Sequence, residues 1–588
     1  MTSSPLSRIA SERPAYVALA AVLVLGILSQ LTHHLGRPID SLGWDEAMHA
    51  EGPAARMALG LSAGEVGEAF QAVLDCDRYP PAFPMFLAAG QALFGVSESV
   101  ARGLAYGLWL VLGMLGLVRV GLALARATAR PDEPPPLELV LLLPAASLLS
   151  PLVWRYAPTL FLEVPFLVVS SHVLASWIER SGDGARIRTG KELLLGLGLV
   201  VAFFTKFNYA ALLFMALFAD ALITLRGARR RGVVAAELRR MSLRAAPLVV
   251  ALLWWFGWPL PYSLAAGADH RLAFSEFLAG NRNVEPLPRP WRLMDWYTGV
   301  AIHPSMLFVW VLAGLSTLPL VVLPAGRVLW LLLAGTVLPV WFHPFHLDRF
   351  LIPGLLPIWA LSSLGLQRIL AARHAWQARL GLALFAGLFA VAGALAWRYP
   401  NHVFADRLRL LPEDSGARER LIHAIDEQRS LFGTVPTAGL PRETHDALLD
   451  LIVQGVGPED RVAWFGMSSE VSPGALHLGL LARGGSSLRF REDAHRQMDV
   501  TPTPGFPLPA LDPAGTRDWL DAATSRFDVV LTTTPTDLKD RPRPGLYDGF
   551  VVPLVSDLGF TATELGRVEV PRPDGSSVSV AVLALRRP

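Results

Sequence analysis

Long apolar runs, most of them closed by a short cluster of arginines, fill the chain as far as about residue 397; beyond it come short alternating and helical-period stretches broken by Gly and Pro. The first run, about 14–35, follows Arg8 and Arg13 and spans about 20 residues, enough to cross a bilayer core. No small-residue cleavage site closes it, which predicts an uncleaved anchor with its N-terminus in the cytoplasm. Runs at about 98–125, 137–153, 159–178, 193–205, 208–225, 245–265, 301–323, 328–342, 350–370 and 380–397 predict further membrane helices, about eleven crossings with the first. The segment 37–97 is largely polar. Two apolar stretches in it, about 45–60 and 81–94, are too short to cross and predict helices lying along the interface.

The arginines set the orientation. Arg126 and Arg130, then Arg180, Arg186, Arg188 and Lys191, then the basic loop from Arg226 to Arg244, and last Arg368, Arg373 and Arg379 all close the same side, which positive charge marks as cytoplasmic. An odd number of crossings then leaves 398–588 external. In that tail, helix-like 417–428, 443–455 and 475–483 are interspersed with strand-like Arg461 to Phe465 and Phe527 to Thr532, and a hairpin, 566–571 and 577–585, turns through Pro573-Asp574-Gly575-Ser576. The expected architecture is a polytopic α-helical membrane domain, 1–397, with an external loop at 37–97, followed by an external α/β domain, 398–588.

Composition agrees and removes several function classes. Of 588 residues 52% are hydrophobic and 17% charged, and the mean hydropathy is +0.40, a balance suited to a membrane and not to solution. The single cysteine, Cys76, excludes an internal disulfide and a Cys-based metal cluster. A net charge of +2 gives no footprint for nucleic acid. The tail has neither a GxGxxG after a strand nor a Walker lysine, so nucleotide binding has no support.

Against this background a few polar residues stand out. Asp45 and Glu46 follow the first run directly; carboxylates there are either a solvated loop or a working site that takes a proton or holds a metal ion. Lys206, one of three lysines in the chain, follows apolar Val200 to Phe204 with Asn208 close by; it suits a phosphate at the membrane surface or snorkels to the interface. Glu163 lies near the start of an apolar helix, where an anion is favoured, and could meet Arg155 or a substrate hydroxyl. His343, His346, Asp348 and Arg349 crowd one loop. Pro344 and the loop geometry argue against zinc there, and Arg349 suits a bidentate phosphate contact. The helix scheme places all of these, with the Tyr79-Pro80-Pro81 turn, at the outer face.

The order of five motifs carries a resemblance: Asp45-Glu46 after the first run, Arg78-Tyr79-Pro80-Pro81, Phe161-Leu162-Glu163-Val164-Pro165, Phe204-Thr205-Lys206-Phe207-Asn208, and Asp348-Arg349-Phe350-Leu351-Ile352-Pro353. In these the chain resembles bacterial membrane glycosyltransferases of the C-type (GT-C) fold, most nearly family 39, the protein O-mannosyltransferase and aminoarabinose transferase group, over about residues 1–400. The resemblance implies a bacterial inner-membrane enzyme with a periplasmic active site, a polyprenyl-phosphate-linked sugar as donor, a lipid, glycan or protein as acceptor, and inversion at the anomeric carbon. By the same carry-over Asp45 would be the general base with Glu46 beside it, Lys206 and Arg349 would hold the lipid phosphate, and Glu163, Tyr79, Asn208 and His346 would contact substrate. Tyr79 stands where some relatives have His. Asp-Glu stands in place of Asp-x-Asp, which leaves a requirement for Mg²⁺ or Mn²⁺ open.

Two other readings compete. A lipid or glycan transporter or flippase would want polar residues near mid-membrane and inverted repeats, whereas here they fall at helix ends. A non-catalytic assembly subunit would keep the fold without needing Asp45.

Overall fold

The computed structural model describes residues 49–74, 80–129, 138–148, 156–181, 187–230, 232–257, 317–342, 352–370, 440–457, 473–483, 528–534, 561–571 and 577–586, together with 20, 23–28, 31, 46, 76, 150, 153, 349, 460 and 462–465. The chain divides into two compact units. The first comprises Met1–Arg37, Ala105–Gly267 and Glu285–Thr434; the second comprises Pro38–Leu104, Ala268–Val284 and Val435–Pro588.

In the N-terminal part of the second unit, α1 (Gly52–Ala63), α2 (Val66–Leu74) and α3 (Ala82–Phe94) follow one another closely. Gly64, at φ +76°, ends α1 in the left-handed conformation that a residue with a Cβ resists, and the chain turns at once into α2. Met57, Ala58, Ala72, Cys76 and Ala88 form a small buried core. Leu59, Leu61, Val66, Phe70, Met85, Leu93 and Phe94 are exposed. The sequence anticipates α1 and α3 but not α2, which is only nine residues long.

α4 (Glu98–Gly107) continues through a π-helical turn, Leu108–Gly113, into α5 (Met114–Thr128), making one helix of 31 residues. The turn is tied from outside: His172 Nε2 lies 2.9 Å from the Leu112 carbonyl oxygen, a partner for a helix carbonyl whose ladder the wider turn disturbs.

The first unit then adds α6 (Glu138–Leu148), α7 (Glu163–Ser181), α8 (Thr189–Thr205), α9 (Phe207–Arg230) and α10 (Val234–Gly257). A 3₁₀ turn at Leu318–Val322 precedes α11 (Pro324–Phe342), and α12 (Ile352–Leu370) follows. These helices fall on the expected apolar runs, most with ends shifted by a few residues and α10 beginning eleven residues early. Most of the runs at 14–35 and 301–323, and all of 380–397, lie outside the described residues. Among the described residues two helices, Glu98–Thr128 and Phe207–Arg230, are long and apolar enough to cross a membrane.

Close helix packing in this unit depends on small residues. A Cβ on Gly121 would stand 2.4 Å from the Leu139 carbonyl oxygen, and one on Gly196 2.5 Å from that of Arg244, so α5 meets α6 and α8 meets α10 backbone to backbone. The core between the helices is continuous, from Trp109 and Leu117 through Leu143, Phe166 and Leu213 to Leu329 and Trp359.

The C-terminal part of the second unit has the mixed α/β build that its patterns predict. α13 (Arg442–Gly455), β1 (Val462–Phe465), α14 (Pro473–Ala482), β2 (Val529–Thr534), β3 (Thr561–Pro571) and β4 (Ser577–Arg586) match the expected stretches; 417–428 lies outside the described residues. The sheet order is β1-β2-β4-β3, parallel between β1 and β2 (Val462 opposite Val529) and antiparallel elsewhere. α13 and α14 lay Leu448, Leu449, Ile452, Leu476 and Leu480 on Val529, Leu531, Val568, Val580 and Val582. Along β3, buried Val568 and Val570 alternate with exposed Arg567 and Glu569, the period of two that marked this strand in the sequence.

One titrating group is buried in this core. His445 on α13 is 2% exposed, and burial, reinforced by the Arg442 guanidinium, pushes its pKa down to about 4. The unfolded chain takes up this proton near the ordinary value of about 6.5 and the folded chain does not, so the stability is complete above that pH and falls as pH drops towards 4. The loss should reach about 3 kcal/mol. Melting of the purified chain between pH 7 and 4.5 is expected to be steeper for the parent than for His445→Leu; parallel curves would refute a buried neutral imidazole.

Candidate functional site

In the first unit three of the singled-out residues meet. Glu163 is the first residue of α7, where the unpaired N–H groups of the helix start favour an anion, and it is 1% exposed. Its Oε1 accepts a hydrogen bond from Lys206 Nζ at 2.6 Å and lies 3.8 Å from Arg349 Nε. The carboxylate thus takes a lysine; Arg155, the partner that sequence suggested as one option, lies outside the described residues.

Backbone geometry explains why Lys206 is there. It is the only residue between α8 and α9, extended at φ −160° and ψ 106°, with its N–H bonded to the Ala202 carbonyl. A cation at a helix C-terminus is favoured by the carbonyls left open there. Asn208, one turn position later, is exposed, and its Oδ1 accepts the Tyr209 N–H at 3.0 Å.

Both cations also lie on aromatic faces. Lys206 Nζ is 4.8 Å from the centre of the Tyr209 ring, and the Arg349 guanidinium is 4.2 Å from that of Phe161. Phe166 packs against Tyr209, Tyr156 against Phe161, and Phe203, Phe204, Phe207, Trp255 and Phe256 form a further cluster around the junction of α8 and α9. Aromatic rings gathered at helix ends are the composition of a membrane–water interface.

One carboxylate faces two cations, and both cationic side chains are still about one-sixth exposed, at 16% and 17%. Glu163 Oε2 is buried with no hydrogen-bond partner among the described residues. Lysine and arginine side by side and partly exposed are the residue types that contact the oxygens of a phosphate.

The same unit holds polar clusters that the sequence reading passed over. Asp220 accepts from Trp177 Nε1 at 2.9 Å and from Arg327 Nε at 2.7 Å, and Arg327 reaches Thr224 at 3.0 Å. Glu192 accepts from Arg244 Nε at 2.7 Å. Each lies about 14 residues along its helix from the Glu163–Lys206 end, about 20 Å at 1.5 Å per residue. Pairs at both ends fix alternating directions for α7, α8 and α9. The available signal was a lone Asp220 inside an apolar run.

In the second unit Glu46 is buried at 0% exposure and accepts from Arg102 Nη1 at 3.2 Å. Arg102 Nε donates to Glu98 at 3.0 Å, and Arg442 Nη1 donates to the other Glu98 oxygen at 2.9 Å. Nearby, Glu51 accepts a hydrogen bond from His477, and Gln91 Nε2 donates to the Ala50 carbonyl. Glu46 is therefore not in a solvated loop. Asp45, Tyr79 and His346 lie outside the described residues. Arg442 and His477 were invisible to sequence reasoning, since nothing local relates positions more than 300 residues apart, and Glu98 and Arg102 look in sequence like an ordinary surface pair one helical turn apart. Among the described residues no group of three His, Cys, Asp or Glu side chains could hold a metal ion.

No family model and no curated protein matches the sequence. Solved structures do match. ArnT from Cupriavidus metallidurans in the apo state aligns with a TM-score of 0.55 at 16% identity, over 98% of this chain and 98% of that one. The same protein bound to undecaprenyl phosphate gives 0.50 at 16% identity, over 97% of each chain. Arabinofuranosyltransferase AftD from Mycobacteria gives 0.51 at 16% identity, over 97% of this chain and 40% of AftD. At such identities the likeness is one of fold, and the chain has the C-type fold of these membrane glycosyltransferases, as its motif order implied.

Proposed function

We propose that the protein is an inverting membrane glycosyltransferase that moves a sugar from a polyprenyl-phosphate donor to a lipid, glycan or protein acceptor at the periplasmic face of a bacterial inner membrane. The observation that carries this reading is the trio of Glu163, Lys206 and Arg349, two partly exposed cations brought together on one carboxylate among aromatic rings. A polyprenyl-phosphate sugar keeps its chain in the bilayer and its phosphate at the interface, and so needs cations at that depth. The likeness to an ArnT structure that holds undecaprenyl phosphate supports the same ligand class.

In this reading Lys206 and Arg349 hold the donor phosphate, and Glu163 orients both cations. Asn208, Tyr79 and His346 contact sugar or acceptor. Asp45, with Glu46 beside it, takes the proton from the acceptor hydroxyl or amine as it attacks the anomeric carbon; the sugar–phosphate bond breaks and the polyprenyl phosphate leaves. The leaving group is already a stable anion paired with two cations, so this departure needs no acid.

Mass spectrometry of glycans, lipids and proteins from a strain lacking the gene tests the proposal. One envelope component should lose a sugar and regain it on complementation; an unchanged envelope would count against transfer. The orientation is tested apart from the chemistry. A reporter fused after Pro588 should work only if exposed to the periplasm, and activity confined to a cytoplasmic reporter would overturn the scheme.

A further inference from the structure

Arg180, in the last turn of α7, is buried at 6% exposure, yet its Nη1 has no hydrogen-bond partner and its guanidinium no ion pair among the described residues. Glu179, beside it in sequence, lies 3.7 Å from Arg119, and Glu192 on α8 accepts from Arg244 at 2.7 Å. A charged donor kept from water without an acceptor is costly, and nothing in the folded chain offsets it here.

Two contacts fix what Arg180 faces. Glu163 at the start of α7 meets Lys206 at the end of α8, so the two helices run in opposite directions. Midway, Val173 lies 3.1 Å from where a Cβ on Gly198 would stand. Seven residues make about two helical turns and return to the same face. Arg180, seven residues beyond Val173, therefore looks towards α8, level with Lys191, seven residues before Gly198. What lies at that level is the open start of α8. Arg188 makes no side-chain cap there, and the first helical bonds run from the Lys191 and Glu192 N–H groups to the Arg188 carbonyl. The helix thus leaves over the N–H groups of Thr189 and Gly190. Both residues are exposed, a Cβ on Gly190 would meet nothing within 4 Å, and Arg188 and Lys191 beside them are exposed as well. Positive charge on the cytoplasmic side accounts for Arg188 and Lys191 but not for an arginine that is buried.

We propose that the start of α8, with Arg180 behind it and Arg188 and Lys191 at its rim, binds a phosphate group. Open backbone donors at a helix start suit an anion, and arginine and lysine supply charge-assisted bonds to its oxygens. The site is separate from the trio of Glu163, Lys206 and Arg349. Lys191 precedes Lys206 by fifteen residues, about 22 Å at 1.5 Å per residue, so one phosphate does not reach both. In the orientation that the arginine clusters predict, the start of α8 faces the cytoplasm. A phosphate comes to it there from the headgroup of an anionic phospholipid in the inner leaflet or from a soluble phosphate compound. The site needs nothing from the proposed transfer reaction.

The test titrates the full-length chain, purified in a phosphate-free detergent, with inorganic phosphate and with a short-chain phosphatidylglycerol. Chloride at matched ionic strength is the blank, and binding and melting are read on the same samples. All variants are made in a Lys206→Ala chain, so that binding at the trio is not counted. Arg180→Gln should weaken binding by about ten- to a hundredfold, the range of one charge-assisted hydrogen bond. Without ligand it should melt no lower than the Lys206→Ala chain, because a buried donor without an acceptor has been removed. Thr189→Pro keeps the helix, since proline suits the first helical position, but removes one of the open N–H groups; it should weaken binding about two- to tenfold. Losses for both ligands assign the site to a phosphate group as such, and losses for phosphatidylglycerol alone assign it to a lipid headgroup. If neither ligand binds the Lys206→Ala chain, or if Arg180→Gln and Thr189→Pro bind as tightly as that chain does, the phosphate site is overturned. If Arg180→Gln does not fold, Thr189→Pro decides.

Discussion

Asp45→Asn is expected to stop sugar transfer while the protein remains folded and still binds undecaprenyl phosphate. The amide keeps the size of the carboxylate and most of its hydrogen bonding but has no site that can accept a proton at neutral pH, and general-base catalysis contributes about 10²–10⁴-fold. The loss should therefore fall on the single-turnover rate and leave donor binding alone. A structural Asp45, for example one paired with Arg78, would give lowered melting with near-normal turnover in the surviving fraction. Glu46→Gln is the informative control. Glu46 is buried against Arg102, so its amide leaves that guanidinium with one carboxylate partner fewer, and melting should fall along with turnover. Full transfer by folded Asp45→Asn would exclude it as the base.

The helices of the first unit were legible because each is a long apolar run punctuated by charge, and neither signal depends on distant residues. The sheet was legible for a similar reason: β3 alternates, and its hairpin partner follows after a short turn. α2 was not, since nine residues make too few turns for an apolar face to stand out along the chain. The site divides in the same way. Glu163, Lys206 and Arg349 could be singled out as charges at the edges of apolar runs, but that they share one carboxylate oxygen depends on how α7, α8 and α12 come together. The chain from Glu46 to Arg442 lay beyond reach altogether. Arginines in polar stretches are common, and what distinguishes Arg102 and Arg442 is the buried carboxylate between them.

Lys206→Ala and Arg349→Ala are each expected to weaken undecaprenyl phosphate binding by about ten- to a hundredfold, the range for one charge-assisted hydrogen bond. The shared partner makes the prediction sharper than a simple loss of cations. Glu163 competes with the phosphate for both groups, and its carboxylate is already buried and bonded at 2.6 Å to Lys206. With Lys206 gone, a phosphate would meet one cation fewer, and Arg349 would still lie beside Glu163. Glu163→Gln acts in the opposite direction: it removes a carboxylate that competes with phosphate for both cations, so undecaprenyl phosphate should bind more tightly than to the parent, although the empty protein should melt lower because both cations lose a buried counter-ion. Adding Glu163→Gln to Lys206→Ala should remove that competitor from Arg349 and recover part of the lost affinity. Raising ionic strength should weaken binding to the parent more than to Lys206→Ala, since fewer charges remain to be screened in the variant. If Lys206→Ala binds like the parent, or if Glu163→Gln weakens binding as much as Lys206→Ala does, the trio is a structural ion cluster and the phosphate is held elsewhere.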